Sequence, residues 1–190
     1  VFWDGPQAPW WAERTPEDGL ILSLFAPHAL DFVQLVMGAA DPLRMHVEAA
    51  RHQTGWQAED EAMMLFAYPD RKMATVHISY NQPHVHDRKT LFFDKGVAVI
   101  EDGELLRWNG ESLVEPAAGV LTDSSKMGGR DLSHYFSAQL SEFAKAVRGE
   151  SHCCPTGHDS ARLIELLDRV REQALLNSAD AIRAESEEEN

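Results

Sequence analysis

Residues 18–38 read DGLILSLFAPHALDFVQLVMG, and this stretch decides the fold. Pro27 suits the first position of a helix, because the N–H that proline lacks would have no partner there. Gly38 suits the left-handed residue that ends a helix. The residues between them are almost all apolar, and a helix that is apolar on almost every side is expected to be buried on almost every side.

The polar residues of this helix are therefore its informative positions. His28, Asp31 and Gln34 follow an i, i+3, i+6 spacing, which places them on one flank of about 120°. Two interpretations are open at this point. The flank faces a substrate, or its side chains only satisfy backbone groups near the start of the helix.

Composition limits the classes of function. The chain has 190 residues, of which 44% are hydrophobic, as in an ordinary globular protein with one core. Its net charge of −14 disfavours nucleic acids and anionic membranes as partners, because both attract clustered Lys and Arg. No run of about 18 apolar residues is present, so no membrane-spanning segment is predicted.

The ends and the cysteines suggest a fragment of a cytoplasmic protein. Val1 is not an initiator Met, and we expect the chain to be a piece of a longer protein. Cys153 and Cys154 are adjacent, and neighbouring cysteines rarely pair with each other. No disulfide framework is therefore predicted, and a reducing compartment is expected.

Alternating and amphipathic patterns outline the remaining elements. Alternating or apolar runs predict six strands, over residues 43–49, 61–68, 73–80, 89–94, 97–101 and 104–108. The dipeptides Asp102-Gly103 and Asn109-Gly110 are typical of hairpin turns. An amphipathic stripe predicts a helix over 131–148, and a capping box at Thr156–Asp159 opens the last helix.

This order predicts an α+β fold: an open, mostly antiparallel sheet of about six strands with helices packed on one face. The other face should be wet or pair with a partner subunit, which makes a homo-oligomer through the sheet the expected assembly. Residues 1–176 are predicted to form this domain. Residues 177–190 are predicted to be an acidic, disordered tail.

Candidate ligand contacts precede the central helix. Trp10, Trp11 and Arg14 could stack on and hydrogen-bond a sugar-like ligand. Trp is equally suited to anchor an irregular segment to a core. Among titrating groups, His28 is the best candidate for general acid–base chemistry near neutral pH.

Cofactor motifs are missing from the sequence. It has no G-x-G-x-x-G, no G-x-x-x-x-G-K-[ST] and no visible βαβ unit, so this chain alone is not expected to bind NAD(P). Two groups contain metal-ligand residue types but lack the spacing of a tetrahedral site, so no metal is predicted. They are His84, His86 and Asp87, and His152, Cys153, Cys154 and His158.

The central stretch resembles a motif of the C-terminal domain of the Gfo/Idh/MocA oxidoreductases, which runs roughly G-G-G-x-x-x-D-x-G-x-H-x-x-D. Asp18-Gly19-Leu20 stands at the Gly triplet, Ala26 at the later Gly, and His28 and Asp31 at the final His and Asp. Leu24 stands where the family has its first Asp. The resemblance runs from about Trp10 to Leu175.

The resemblance implies a substrate-binding and oligomerisation domain whose NAD- or NADP-binding Rossmann half lies upstream of Val1. It implies hydride transfer between a nicotinamide and a sugar, polyol or related hydroxyl compound. His28 would be the catalytic residue, and Asp31, Trp10, Trp11 and Arg14 would serve the substrate side. Because Leu24 replaces the Asp, the alternative is a non-catalytic ligand-binding or assembly protein. A third hypothesis is a free-standing dimeric sheet domain.

Overall fold

The computed structural model describes residues 9–38, 40–82, 87–101, 105–114 and 133–188. The chain divides into two compact units, and the second is inserted into the first. Unit 1 comprises residues 1–82 and 155–190, and unit 2 comprises residues 83–154. The stretch of residues 18–38 belongs to unit 1.

In the described residues, unit 1 contains three α-helices and a three-stranded sheet. After a short 3₁₀ turn at Pro9–Trp11, its helices and strands are α1 (Ile21–Leu24), α2 (Ala26–Met37), β1 (Arg44–Ala50), β2 (Glu61–Ala67), β3 (Met73–Ser79) and α4 (Gly157–Glu188), with a second 3₁₀ turn at Pro69–Arg71 between β2 and β3. The strands pair antiparallel in the order β1-β2-β3. Helix α4 packs on β1 and α2, and it is tied to the sheet where the Asn177 side-chain amide donates to the Val47 carbonyl oxygen (2.7 Å).

Helix α2 begins at Ala26, one residue before the predicted start, and ends as predicted. Pro27 lies in its first turn, and Gly38 ends it in the left-handed conformation, with φ of 71°. The expectation of burial on nearly every side is wrong. Ala26, Leu30 and Val33 are buried, but Leu35 is 76% exposed. The described elements that pack on α2 cover one half of the helix, and its sequence is apolar on the other half as well.

The register of the first sheet separates two faces. Met64 of β2 lies opposite Val47 and Val76, and these positions point into the core. Met63 lies opposite Glu48 and His77 on the other face, where its side chain is 59% exposed. We call this second face the outer sheet face. It carries the side chains of Arg44, His46, Glu48, Ala50, Glu61, Met63, Leu65, Ala67, Met73, Thr75, His77 and Ser79.

The predicted capping box starts α4. The Thr156 hydroxyl accepts from the Asp159 backbone N–H (3.3 Å), and the Asp159 carboxylate accepts from the Thr156 backbone N–H (2.8 Å). Leu166, Leu167 and Val170 of this helix are buried in the core. The helix continues to Glu188, beyond the point where the sequence predicts the acidic tail to begin.

The described part of unit 2 contains a four-stranded antiparallel sheet and one helix. Its elements are β4 (Arg88–Phe93), β5 (Gly96–Glu101), β6 (Leu105–Trp108), β7 (Glu111–Val114) and α3 (Ser133–Val147), and the strands follow the order β4-β5-β6-β7. The Asn109-Gly110 turn has φ values of 52° and 90°, which are the positive values that a tight hairpin turn requires. Asp102-Gly103 lies outside the described residues.

The predicted α+β class with antiparallel strands is confirmed. The strands number seven in the described residues and form two sheets, instead of about six in one. Alternation predicts a strand and its buried face, but it does not say which strands share a sheet. In the described part of the chain, none of the helices combines the length and the apolar character needed to cross a membrane.

Candidate active site

His28 and Asp31 lie on the half of helix α2 that the other described elements leave uncovered. His28 lies in the first turn and Asp31 one turn later, and both are exposed. The His28 backbone N–H donates to the Phe25 carbonyl oxygen (3.1 Å), and the His28 ring lies edge-on to the Phe25 ring, with 6.5 Å between the centroids. Between His28 and Asp31, both of which the structure describes, there is no side-chain hydrogen bond. His28 is thus an accessible imidazole without a carboxylate from Asp31 on its ring.

Aromatic contacts connect His28 to the tryptophan segment. The Phe25 ring stands perpendicular to Tyr80, with the centroids 5.2 Å apart, and Tyr80 stacks on Trp11 at 5.1 Å. Trp10 meets Trp11 edge-on at 6.0 Å. A continuous row of ring contacts therefore links His28 to the Trp10–Trp11 turn.

The three ligand candidates near residue 10 differ in their exposure. Trp11 is only 7% exposed, because it packs into the core, as an anchoring Trp would. Trp10 is 45% exposed and offers an accessible ring surface. The Arg14 guanidinium lies 5.8 Å from the centre of the Trp10 ring and donates to the backbone carbonyls of Asp18 and Gly19. Arg14 thereby ties the Trp10 turn to the loop that precedes α1.

Tyr80 joins these parts at the end of β3. It is 5% exposed, and burial, followed by the nearby Glu59 carboxylate, raises the pKa of its phenol. The ring therefore remains neutral throughout the physiological pH range. Trp56 packs perpendicular to it at 6.1 Å, so aromatic rings hold Tyr80 from several sides.

Glu59 holds the loop before α1 in place, although the sequence did not single it out. Its carboxylate oxygen accepts from the backbone N–H groups of Leu20 (2.8 Å) and Leu22 (3.0 Å), which have no helical partner at the start of α1. Gly19 has φ of +65°, and a Cβ there would lie 3.2 Å from the same oxygen. The left-handed backbone conformation therefore favours glycine here, and a Cβ would also lie in tight contact with the Glu59 carboxylate.

Asp60 is a fully buried carboxylate beside this site. It accepts from the backbone N–H groups of His52 (2.9 Å) and Gln53 (2.6 Å) and from the Asn81 side-chain amide (2.9 Å). Its own carbonyl oxygen accepts from the Tyr80 N–H (2.8 Å). Asp60 thus fixes the backbone on which the aromatic row depends. Two adjacent acids before an apolar strand are the only signal in the sequence, and such a pair is more often exposed.

The candidate metal groups give no coordination site in the described residues. No cluster of three or more His, Cys, Asp or Glu side chains suited to a metal ion occurs there, and His84 and His86 lie outside them. Both cysteines are free. The Cys153 thiol donates to the Glu142 carboxylate (3.2 Å), and this hydrogen bond raises the pKa of Cys153 and favours the thiol over the metal-binding thiolate.

Comparison with solved structures shows the same fold in several oxidoreductases. The WlbA dehydrogenase from Bordetella pertussis, solved in complex with NADH and UDP-GlcNAcA, is 17% identical with a TM-score of 0.64; the match covers 93% of this chain and 53% of that one. For the UDP-N-acetylglucosamine 3-dehydrogenase GnnA from Acidithiobacillus ferrooxidans, identity is 17%, the TM-score is 0.61, and coverage is 89% and 50%. For a putative oxidoreductase from Thermotoga maritima, identity is 18%, the TM-score is 0.59, and coverage is 80% and 44%.

This chain therefore spans about half the length of these structural neighbours. None of the curated protein sequences matches it. The model of the GFO/IDH/MocA C-terminal domain matches residues 1–99, which is just over half of the chain and includes the whole stretch from Asp18 to Gly38. The chain belongs to the GFO/IDH/MocA C-terminal domain family.

Proposed function

We propose that this chain is the substrate-binding and oligomerisation domain of an NAD(P)-dependent oxidoreductase that acts on a sugar, polyol or related hydroxyl compound. The observation that carries the proposal is the exposed His28 on the open half of α2, within the matched family domain. An accessible imidazole can take the proton of a hydroxyl group while a hydride leaves the same carbon.

The surroundings of His28 suit a ligand with many hydroxyl groups. Trp10 offers an exposed aromatic ring of the kind on which a sugar ring stacks, and Trp11 and Arg14 hold it in position. Asp31 is exposed on the same half of α2 and can accept hydrogen bonds from ligand hydroxyls. One structural neighbour is a UDP-N-acetylglucosamine 3-dehydrogenase and another was solved with UDP-GlcNAcA, which agrees with this substrate class.

The nicotinamide would be supplied from outside this chain. The sequence has no phosphate-binding glycine motif, and one neighbour that holds NADH is nearly twice as long as the region matched here. A Rossmann half upstream of Val1 would carry NAD or NADP. A cytoplasmic location, expected from the adjacent cysteines, belongs to the same proposal.

Association through the outer sheet face forms the second part of the proposal. Met63 and Leu65 expose apolar surface at the centre of this face. Its carboxylates lie beside imidazoles: Glu61 is 2.6 Å from His77 and 3.0 Å from His52, and Glu48 is 2.8 Å from His46. Each of these carboxylates thus already lies beside an imidazole nitrogen of its own chain when a second copy approaches.

Turnover assays test the enzymatic part. The natural gene product that contains this chain should reduce NAD⁺ or NADP⁺ with at least one member of a panel of sugars, nucleotide sugars and polyols. Residues 1–190 alone should show no turnover with any of them. Turnover by residues 1–190 alone would contradict the assignment of the nicotinamide site to another part of the protein.

Leu24 supports the alternative of a non-catalytic ligand-binding or assembly protein. Its side chain is half-buried against the core at the end of α1, and an alkyl group cannot orient or charge-stabilise an imidazole. We expect the alternative to hold if the natural gene product and its Leu24→Asp variant are both silent across the panel. Activity in the unchanged protein would exclude it.

A further inference from the structure

Phe25 contacts His28 through both its backbone and its side chain. It lies between α1 and α2, where its backbone N–H donates to the Ile21 carbonyl oxygen (2.9 Å) and closes α1. Its own carbonyl oxygen accepts from the His28 N–H (3.1 Å), and its ring meets the imidazole edge-on, with 71° between the planes. Any residue can supply the two backbone hydrogen bonds. The ring contact requires an aromatic side chain, and edge-on ring pairs are favourable at centroid distances of about 4.5–7 Å.

The buried core fixes the Phe25 ring. Tyr80 is buried and stands perpendicular to Phe25, and it is held in turn by the rings of Trp11 and Trp56. Phe25 itself is 36% exposed, so it lies at the boundary between the packed rings and the accessible imidazole. Because side chains in a close-packed core keep one rotamer, the Phe25 ring offers His28 a rigid neighbour.

A general base needs a neighbour that orients it, and a carboxylate usually serves. Here Asp31 makes no side-chain hydrogen bond with His28, although the structure describes both residues, and Leu24 has only an alkyl group to offer. The Phe25 ring is the aromatic side chain that contacts the imidazole instead. An imidazole that rotated freely would place its nitrogen within reach of the substrate proton only part of the time.

We propose that Phe25 is a positioning residue for the dehydrogenation: its ring, fixed by the core, restricts the His28 imidazole to orientations that can take the proton of a substrate hydroxyl. This inference rests on the proposed function. Phe25 acts through His28 and exchanges no proton itself. It thereby supplies by ring contact the orientation that no carboxylate of the described residues supplies by a hydrogen bond.

Two substitutions separate the ring from the rest of the side chain. Phe25→Leu keeps an apolar side chain and both backbone hydrogen bonds but removes the ring, and Phe25→Tyr keeps the ring. In the natural gene product, we expect kcat to fall at least about 10-fold in Phe25→Leu, because a small misplacement of a reacting group is costly. KM should stay within about twofold of wild type, since the contact acts on the transition state and not on substrate binding.

The kinetic controls keep the ring or remove an unrelated one. The kcat of Phe25→Tyr should stay within about twofold of wild type. The same should hold for Phe92→Leu, which makes the identical truncation at an 80% exposed position of β4. If Phe25 only packed against the core, leucine would replace it without a selective loss of kcat, and an unchanged kcat in an active Phe25→Leu protein would overturn the proposal.

Nuclear magnetic resonance measures the motion of the imidazole in residues 1–190 without any turnover. Histidine is labelled with ¹³C at Cε1, and the His28 signal is identified by its loss in His28→Asn. We expect its order parameter to be above about 0.8 in the wild type and below about 0.6 in Phe25→Leu. It should stay high in Phe25→Tyr and in Asp31→Asn. A mobile imidazole in the wild type would overturn the proposal before any variant is made.

The two measurements together separate this inference from the proposed function. A fall in kcat without a loss of order in Phe25→Leu would overturn the inference, because Phe25 would then act on something other than the imidazole. A loss of order in a protein that is silent across the substrate panel would support the restriction of His28 by Phe25 and contradict the proposed function. An active protein with unchanged order and unchanged kcat in Phe25→Leu would do the reverse.

Discussion

At the scale of single residues, acidic side chains position the backbone around the candidate site. Glu59 and Asp60 are adjacent in sequence and point to different places: one caps α1, and the other holds the loop at His52–Gln53 and the end of β3. His28 itself makes few contacts among the described residues. The two carboxylates thus fix backbone segments beside the aromatic row that reaches His28.

Replacing the capping carboxylate should destabilise the fold. Glu59→Ala leaves the N–H groups of Leu20 and Leu22 without their acceptor, in a part of the chain that is buried. We expect the free energy of unfolding to fall by about 2–4 kcal/mol, the cost of two unsatisfied donors. Urea denaturation measures it. Glu165→Ala, which removes an exposed carboxylate of α4, should cost less than about 0.5 kcal/mol, and equal losses in the two variants would contradict this role for Glu59.

At the scale of helices, strands and turns, the features that depend on nearby residues were predicted from the sequence better than those that depend on long-range packing. Pro27, Gly38, the Asn109-Gly110 turn and the capping box at Thr156 each act within a few residues, and the structure has them where the sequence predicts. The exposure of one half of α2 was not predicted from the sequence. Apolar residues indicate that a helix is buried, but they do not identify the element or partner that covers it. The hydrogen bonds of Glu59 and Asp60 were missed because they join residues that are 7 to 39 positions apart.

The capping box of α4 should respond to pH. Hydrogen bonds from the Thr156 hydroxyl and backbone N–H, and then from Arg162, lower the pKa of Asp159 from 3.8 to about 2. Because the pKa of Asp159 is lowered in the folded state, its carboxylate stabilises the fold fully at pH values above its ordinary pKa. This stabilisation is lost as the pH falls through about 2. The stability difference between wild type and Asp159→Asn should therefore shrink from pH 6 to pH 2 in urea titrations.

Asp168→Asn provides the control for that titration, because Asp168 lies on the same helix, where the Arg171 guanidinium is 3.9 Å away. The difference in stability between Asp168→Asn and wild type should change less over the same pH range. If the stability difference between wild type and Asp159→Asn stays constant down to pH 2, the Asp159 carboxylate does not cap the helix.

For the whole molecule, the proposed assembly depends on the centre of the outer sheet face. Leu65→Lys places a charge beside Met63, where a partner sheet would have to bury it. We expect light scattering to show an oligomer for the wild type and a monomer for Leu65→Lys. Ile164→Lys, an exposed apolar position on α4, should leave the oligomer intact. A monomeric wild type, or an oligomeric Leu65→Lys variant, would contradict association through this face.

The most direct measurement of the central claim is the turnover number of His28→Asn in the natural gene product, with His158→Asn as the matched control. Both histidines lie at the surface of unit 1, but His158 belongs to the first turn of α4. If His28 handles the proton of the substrate hydroxyl, kcat should fall by at least about 100-fold in His28→Asn and stay close to wild type in His158→Asn. An active wild type whose kcat is unchanged by His28→Asn would contradict the account.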